Sequence, residues 1–341
     1  MRPRLRSLCT LVLSLLVVSC AYRHDALDRG MDYATRNFSD GRTMRAPRNN
    51  PMTAAKVALG EALFHETRLS VDGSRSCASC HQPSRGFGDG MPRTAGRSGA
   101  PLPRHTPSLW NVGHAGRLFA DGRAASLEAQ SLMPITQLEE MGRAPGTVTD
   151  GIRDDTHYRR WFAEAFPKAP FVNETNLAHA LASYQRTLIS GTTPFDRWLR
   201  GDRNAISVEA QRGFAVFAGP GNCAACHHSA NLTDEKFHDI GLPDGDRGRG
   251  AVTGRRAHDH RFRTPSLREI GRTAPYMHDG SLPTLEAVVD HYSDHVTDRG
   301  QTMRRVHLSA DNKRDLIAFL KTLDSMAPAT KVARAERMQR E

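Results

Sequence analysis

The chain has 341 residues, of which 47 are Lys or Arg and 37 are Asp or Glu, and its formal net charge is +10. The basic residues are scattered, so the charge favours a solvated surface that attracts an acidic protein partner and does not indicate nucleic-acid binding. The chain beyond residue 20 is long enough for two domains of ordinary size, each with its own core.

The N-terminus has the pattern of an export signal. Three arginines within the first six residues precede an apolar stretch at 8–18, which is too short to span a bilayer. The stretch ends in Val17-Val18-Ser19-Cys20, which resembles a lipobox. We predict a signal peptide over 1–20 and a lipid anchor on Cys20, which places the protein in the periplasm if the source is Gram-negative. The alternative is an ordinary cleaved signal with an incidental cysteine.

The spacing Cys-x-x-Cys-His occurs twice, at Cys77, Cys80 and His81 and again at Cys223, Cys226 and His227. This spacing is the attachment signal for c-type haem, because two thiols one helical turn apart can bond one porphyrin and the histidine can then ligate its iron. A zinc site would need a second ligand pair at finger-like spacing, and a redox Cys-x-x-Cys would not need the following histidine. We therefore predict two covalently bound haem c groups.

The chain also repeats itself. Thr106-Pro107-Ser108-Leu109 returns as Thr264-Pro265-Ser266-Leu267, and the Asp-Gly pair at Asp121 returns at Asp279, both at an offset of 158. A similar amphipathic segment lies upstream of each haem motif and a helix-like stretch lies downstream. The repeat predicts an all-α fold with two tandem cytochrome c-like domains from an internal duplication, one haem in each.

The predicted domain boundaries follow from the repeat and from local composition. A boundary falls near Gly201–Ser207, where Gly, Asp and Asn precede a helix cap at Ser207. We predict a linker at 21–50, a first domain at 51–203, a second domain at 204–327 and a charged tail at 328–341.

The same offset places Pro134 of the first half opposite Tyr292 of the second. A tyrosine oxygen can ligate ferric haem iron, whereas proline offers no side-chain donor. One haem should therefore be open on its distal face and the other closed. Such a difference favours an enzyme over a plain electron carrier.

Several ordered segments resemble the bacterial di-haem cytochrome c peroxidase and MauG family over nearly the whole chain beyond the signal. They are Phe119 to Gln130, Glu139-Glu140-Met141, and Thr273 to Gly280, in addition to the two haem motifs. The resemblance implies a distal pocket at the first haem formed by Gln130, Pro134 and Glu140. There the glutamate would move a proton between peroxide oxygens and the glutamine would orient the peroxide.

The resemblance implies two further metal contacts. A calcium ion between the haems would be bound by the positions of Asn111, Thr273 and Pro275, and oxygen ligands suit such a hard cation. Tyr292 stands where the MauG branch has tyrosine and the peroxidases usually have methionine, so tyrosinate would lower the potential of the second haem. The alternative ligands are Met277, His278, His291 and Met303.

Two positions depart from the family pattern. Ala120 stands where a tryptophan between the haems is usual, so hole transfer would need Phe119, Trp110 or direct haem proximity instead. His105 is the only histidine in the loop that carries a removable distal ligand in the peroxidase branch. We interpret it as a loop residue, with distal ligation as the alternative.

The resemblance implies an enzyme that uses hydrogen peroxide to oxidise a partner protein's side chain or a reduced donor protein in the periplasm. The partner would be a cytochrome c, a cupredoxin or a copper-binding protein, with membrane contact only through the lipid anchor. A non-catalytic di-haem electron carrier is the alternative, but it gains nothing from Gln130 and Glu140 beside an open haem. A haem-based sensor would need a signalling domain, which the sequence does not predict.

Overall fold

The computed structural model describes residues 33–38, 44, 46–243, 245–297, 303 and 305–325. Residues 33–38 are helical, and further α-helices lie at Ala54–His65, Cys77–Cys80, Leu127–Thr136, Thr156–Ala165, Glu174–Gln185, Pro194–Leu199, Val208–Ala218, Arg249–Thr253, Leu285–Asp290 and Ala310–Lys321. A π-helical turn, His291–His295, extends one of them. Strands Phe237–Asp239 and Arg261–Arg263 pair antiparallel. Helix accounts for 42% and strand for 5%, so the prediction of a helical fold is confirmed at that level, and the small sheet was not predicted.

The longer helices begin at polar caps. The Ser126 hydroxyl accepts from the amide of Ala129, and Thr284 does the same for Ala287 in the matching helix of the second repeat. Ser207, the predicted cap, accepts from Ala210 at 3.2 Å. Each cap satisfies an amide that lacks a partner in the first helical turn.

Two pairs of helices form the centres of the fold. The helix Ala54–His65 packs on Glu174–Gln185, and Val208–Ala218 packs on Ala310–Lys321. A glycine lies at each crossing: a Cβ on Gly60 would come 2.0 Å from the carbonyl oxygen of Ala180. Gly213 stands in the same relation to Asp315 at 1.9 Å. Only glycine permits the two backbones to approach this closely.

The buried apolar residues form two large clusters. One extends from Leu59 to Leu188 and surrounds the first helix pair, and the other surrounds the second pair. Phe195 and Trp198 belong to the second cluster, as does Phe38 from the helical segment 33–38. We refer to residues 54–193 as the first half and to residues 194–325 as the second half.

Backbone conformation repeats between the halves at the offset of 158. Phe119 and Met277 both have positive φ, 66° and 72°, and so do Gly122 and Gly280, at 68° and 67°. Positive φ is uncommon for residues other than glycine, so the match at Phe119 and Met277 is specific. The repeat in the sequence therefore extends to the local backbone.

Arginine residues connect the two halves. Arg104 forms ion pairs with Asp121 of the first half at 2.6 Å and with Asp246 of the second half at 2.7 Å. The amide of Arg263 donates to the carbonyl of Ala120 at 2.7 Å. These contacts position the facing walls of the cavity described below.

Within the described residues, no helix is both long and apolar enough to cross a membrane. The predicted signal peptide, Cys20 and the predicted tail at 328–341 lie outside the described residues.

Candidate functional site

The first Cys-x-x-Cys-His motif forms one helical turn. Ser76 caps the turn Cys77–Cys80, and His81 ends it. The Nδ1 atom of His81 lies 2.8 Å from the carbonyl oxygen of Phe87, so this nitrogen must carry the proton and donate. In the neutral ring the opposite nitrogen, Nε2, carries no proton and can bind a metal, as the prediction requires.

The second motif repeats this arrangement. Cys223–Ala225 form a 3₁₀ turn, and the Nδ1 atom of His227 lies 2.9 Å from the carbonyl oxygen of Leu232. Burial lowers the pKa of both His81 and His227, which favours the neutral ring. Both imidazoles are therefore held in the protonation state of a haem ligand.

The four thiols lack the electrostatics of a redox pair. Burial raises the pKa of Cys77 to about 12, that of Cys80 to about 11 and that of Cys223 to about 12, and it also raises the pKa of Cys226. Reactive Cys-x-x-Cys motifs instead have depressed thiol pKa values. These surroundings disfavour the redox alternative.

A zinc centre also finds little support. Among the described residues, the one group of three potential ligands with mutually close donor atoms is Cys226, Asp234 and His238. The carboxylate of Asp234 is already hydrogen-bonded to the Nε2 atom of His238 at 2.8 Å. A structural zinc site normally has four ligands in a closed tetrahedron.

One continuous cavity of about 1320 Å³ contains both histidines. It is lined by Cys80 and His81 of the first half and by Cys226 and His227 of the second. Its wall also carries two donors, Trp110 Nε1 and Arg263 Nε, that are buried and have no acceptor among the described residues. Haem fits this wall, because its iron would meet the histidines and its carboxylates could accept from buried donors.

The three predicted distal residues converge beside His81. Gln130 and Pro134 lie one turn apart on the helix Leu127–Thr136, and Glu140 follows that helix. All three line the large cavity, and all three also line a smaller one of about 60 Å³ that includes His81. The structure thus brings the three residues to one cavity wall, and their role at a haem stays a prediction.

Glu140 is suited to exchange protons. Burial raises the pKa of its carboxyl, and the positive charges of Arg123 and Arg75 oppose that rise. Its neighbour Glu139 faces a different partner, accepting from the Ser98 amide at 3.0 Å and hydroxyl at 2.7 Å. Sequence reasoning did not find Arg75 or Arg123, because scattered charges give no sign of which ones meet in space.

Tyr292 lies in the π-helical turn and lines the cavity together with His227. Burial raises the pKa of its phenol, so the protein alone favours the neutral form and a metal would be needed to stabilise the phenolate. π-Helical turns are rare and are often found at functional sites. This turn provides the position predicted to close the second haem.

The alternative sixth ligands have different surroundings. The Nε2 atom of His291 lies 2.8 Å from the carbonyl oxygen of Ile240, and this residue does not line the cavity. Met277, His278 and Met303 do line it. His278 stacks on the ring of Phe262 with the centroids 3.5 Å apart. Of the four alternatives, His291 is thus the least suited to bind the iron of the second haem.

His105 occupies the loop between the first motif and the Thr-Pro-Ser-Leu segment. Its Nδ1 atom lies 2.8 Å from the carbonyl oxygen of Met91, and its amide donates to the carbonyl of His278 at 2.9 Å. Although it lines the cavity, these bonds hold its backbone and one ring nitrogen in loop contacts.

The predicted calcium ligands Asn111, Thr273 and Pro275 all line the cavity. The Asn111 side chain is engaged with Ser190: its oxygen accepts from the Ser190 amide at 3.1 Å and its nitrogen donates to the hydroxyl at 2.8 Å. A carbonyl oxygen has two lone pairs, so one remains available for a cation. Sequence reasoning missed Ser190, which lies 79 residues away.

Residues 54–204 match the family model described as di-haem cytochrome c peroxidase. The chain is 44% identical over 308 residues to the methylamine utilization protein MauG of Methylorubrum extorquens, covering 88% of this chain and 86% of that one. It is 33% identical to the cytochrome c551 peroxidase of Pseudomonas aeruginosa, covering 82% of each chain.

Among solved structures, the fold is similar to that of a MauG-like protein associated with microbial copper homeostasis. The TM-score is 0.77 at 35% identity, and the match covers 84% of this chain and 94% of the other. The chain therefore belongs to the di-haem cytochrome c peroxidase family, which includes MauG, and is a peroxide-using oxidoreductase.

Proposed function

We propose that the protein is a periplasmic di-haem enzyme that uses hydrogen peroxide to oxidise a side chain of a partner protein. The observation that carries this proposal is the asymmetry of the cavity. Gln130, Pro134 and Glu140 form a pocket beside His81, whereas Tyr292 stands at the matching place beside His227. The first site would be open to peroxide and has a carboxyl group that can transfer protons. The second site would be closed to peroxide and would donate electrons to the first. This difference between the two sites favours an enzyme.

We assign one haem c to each half, in two cytochrome c-like domains that arose by duplication. Two separate apolar clusters and the matched positive φ at Phe119 and Met277 support this assignment. The proposed boundary remains near residue 203, although Phe195 and Trp198 already pack in the second cluster.

The first haem would be held by Cys77, Cys80 and His81. When bound, it supplies an iron that reacts with peroxide and takes up oxidising equivalents. The Gln130 amide orients the peroxide by hydrogen bonding. The Glu140 carboxylate removes a proton from one peroxide oxygen and returns it to the other, which then leaves as water. Pro134 offers no donor, so the distal face stays accessible.

The second haem would be held by Cys223, Cys226 and His227. The Tyr292 phenolate would bind this haem as an anionic oxygen ligand and would lower its potential. A low potential makes this site the easier one to oxidise. The second half therefore stores an oxidising equivalent that the first half generates.

The net charge of the chain and its similarity to a solved structure indicate the kind of partner protein. A net charge of +10 attracts an acidic protein, and the similar structure from copper homeostasis favours a copper-binding partner. A second candidate function is peroxide removal with electrons from a cytochrome c or a cupredoxin. The similarity to cytochrome c551 peroxidase favours it.

Two further features belong to the proposal. A calcium ion would lie between the halves, bound by the Asn111 side-chain oxygen and the carbonyls of Thr273 and Pro275. The lipid anchor would form on Cys20 after removal of the signal peptide. Export agrees with haem attachment to Cys-x-x-Cys-His, which takes place outside the bacterial cytoplasm.

Haem content and peroxide reactivity test this proposal. Protein made with a haem-maturation system should retain two covalent haems after acid extraction, and the double variant Cys77→Ala/Cys80→Ala should retain one. Hydrogen peroxide should change the absorption spectrum of the intact protein and should not do so in that variant. Zinc in place of haem, or a peroxide reaction that survives in the double variant, would overturn the assignment.

Trapping the partner separates the two candidate functions. Periplasmic proteins cross-linked to the enzyme, then treated with peroxide, should carry an oxidised tryptophan or tyrosine detectable by mass spectrometry. Rapid oxidation of a reduced cytochrome c or cupredoxin, with no side-chain modification, would instead favour the peroxidase function.

A further inference from the structure

A surface loop of the second half, residues 245–261, concentrates positive charge. It contains five arginines and two aspartates, whereas the matched segment of the first half, 87–103 at the offset of 158, contains two arginines and one aspartate. The additional arginines therefore belong to the second half alone and are not part of the shared repeat. We refer to residues 245–261 as the basic loop.

The basic loop projects from the wall of the large cavity. Asp246, near its start, lines the cavity, and so does Phe262, the residue that follows its end. On the side of the first half, the Nη1 atom of Arg249 donates to the carbonyl of Asp121 at 3.1 Å and to that of Gly122 at 2.9 Å. The loop thus contacts both halves at the place where they meet.

Close contacts within the basic loop fix its shape. The amide of His260 donates to the carbonyl of Arg247 at 3.1 Å, and its Nδ1 atom lies 2.9 Å from the carbonyl oxygen of Asp246. A side chain on Gly250 would collide with the Asp259 carboxylate, so the two strands of the loop are packed together. A surface that is ordered before binding loses little conformational entropy when a partner docks.

The outer side of the basic loop presents free cations and an apolar side chain. Arg255 and Arg256 are exposed, and among the described residues neither guanidinium has a carboxylate partner. Arg247 is exposed as well, although it pairs with Asp259 at 3.0 Å. Val252, in the same loop, is 41% exposed. Arginine is enriched in protein interfaces, and an apolar side chain beside it can be buried there.

Two kinds of anionic surface could bind such a loop, namely an acidic protein and an anionic membrane. The guanidinium group binds a carboxylate through two parallel hydrogen bonds, which suits Asp and Glu side chains. A bilayer seated on the loop would cover part of the cavity wall that a protein donor has to approach. An acidic protein is therefore favoured.

We propose that the basic loop is the docking surface for the protein partner, and that the partner presents Asp and Glu carboxylates to Arg255 and Arg256. This inference rests on the proposed function, because the docked protein is the one that the enzyme oxidises. Docking there places the electron-donating group of the partner beside the cavity wall at the junction of the two halves.

Charge reversal with a matched control tests the docking surface. Arg255→Glu/Arg256→Glu reverses the two free charges of the loop. Arg160→Glu/Arg200→Glu makes the same change in net charge at two exposed arginines outside the loop and the cavity lining. The probe is reduced plastocyanin, a cupredoxin with an acidic surface, and its peroxide-dependent oxidation by the holoprotein is followed by absorption.

At low salt, kcat/KM for plastocyanin should fall by about tenfold or more in the loop variant, mainly through a higher KM. In the control variant it should fall by less than about threefold, because only the long-range field changes. The difference between the two variants should shrink at about 1 M salt, where charges are screened beyond about 3 Å.

A second loop variant and two structural readouts guard against misfolding. Arg255→Gln/Arg256→Gln removes the charges without reversing them and should give an intermediate kcat/KM. Both loop variants should keep the haem absorption spectra and the Tm of the wild type.

Equal kcat/KM in the loop variant and the control, or no oxidation of plastocyanin by the wild type, would overturn the docking surface. Weaker binding of the loop variant to vesicles containing phosphatidylglycerol, with plastocyanin kinetics unchanged, would assign the loop to a membrane instead. If peroxide leaves the absorption spectrum of the wild-type holoprotein unchanged, the proposed function itself fails.

Discussion

Glu139 and Glu140 are adjacent in the chain, yet their carboxylates face opposite surroundings. Glu139 binds the amide and hydroxyl of Ser98 on a surface loop, whereas Glu140 lines the smaller cavity that includes His81. The pair therefore divides into an acid that anchors a loop and an acid that is positioned for chemistry.

This division predicts different outcomes for two matched variants. Glu140→Gln removes the proton acceptor but keeps the shape, so stopped-flow absorption should show a peroxide reaction slower by about 10²–10⁴-fold. Both haem spectra should remain as in the wild type. Glu139→Gln should leave the rate nearly unchanged. Equal rates in wild type and Glu140→Gln would remove the proton-transfer role.

The pH dependence of the peroxide reaction should report the same carboxyl. The ionised form accepts the first proton, so the rate should fall as the pH drops through the Glu140 pKa. Because burial raises that pKa, the fall should begin at a higher pH than for an exposed glutamate. Glu140→Gln should lack this acidic limb. If the limb persists in the variant, another group controls it.

Tyr292→Phe tests the closed site. Removing the phenol oxygen should convert or shift the low-spin signal in the electron paramagnetic resonance spectrum of the resting protein, while the high-spin signal of the first haem stays unchanged. Tyr276→Phe is the control, because Tyr276 also lines the cavity but its hydroxyl donates to the Ile270 carbonyl at 2.9 Å. An unaltered low-spin signal in Tyr292→Phe would transfer the sixth ligand to Met277, His278 or Met303.

The glycine at the first helix crossing should limit stability. Gly60→Ala places a methyl group 2.0 Å from the Ala180 carbonyl oxygen, so the helices must separate. Overpacking of this kind costs about 1–3 kcal/mol or more, which thermal unfolding should show as a lower Tm. Gly116→Ala is the control, because no atom lies within 4 Å of its added Cβ. A Tm unaffected by Gly60→Ala would contradict the close crossing.

The sequence is informative where a function depends on local spacing. The turn Cys77–Cys80 and the cap at Ser207 each depend on residues a few positions apart, and both are present. The sheet between Phe237–Asp239 and Arg261–Arg263 was not predicted, because its short strands are mostly polar and their pairing is non-local.

The directions in which side chains point could not be predicted from the sequence either. His291 and Tyr292 are adjacent and both can ligate iron, so spacing alone does not choose between them. The π-helical turn directs Tyr292 to the cavity and His291 to the Ile240 carbonyl. Likewise, the engagement of Asn111 by Ser190 depends on a contact across the first half that no local pattern indicates.

Arg104 links the two halves through Asp121 and Asp246, and this link has a kinetic meaning. Electron tunnelling slows steeply as the gap between donor and acceptor widens, so small hinge motions between the halves would make the transfer rate fluctuate. A guanidinium that binds a carboxylate on each side resists such motion more strongly than neutral contacts would. We therefore expect the arginine to keep the distance between the two proposed haem sites nearly constant from one turnover to the next, although it takes no part in the chemistry.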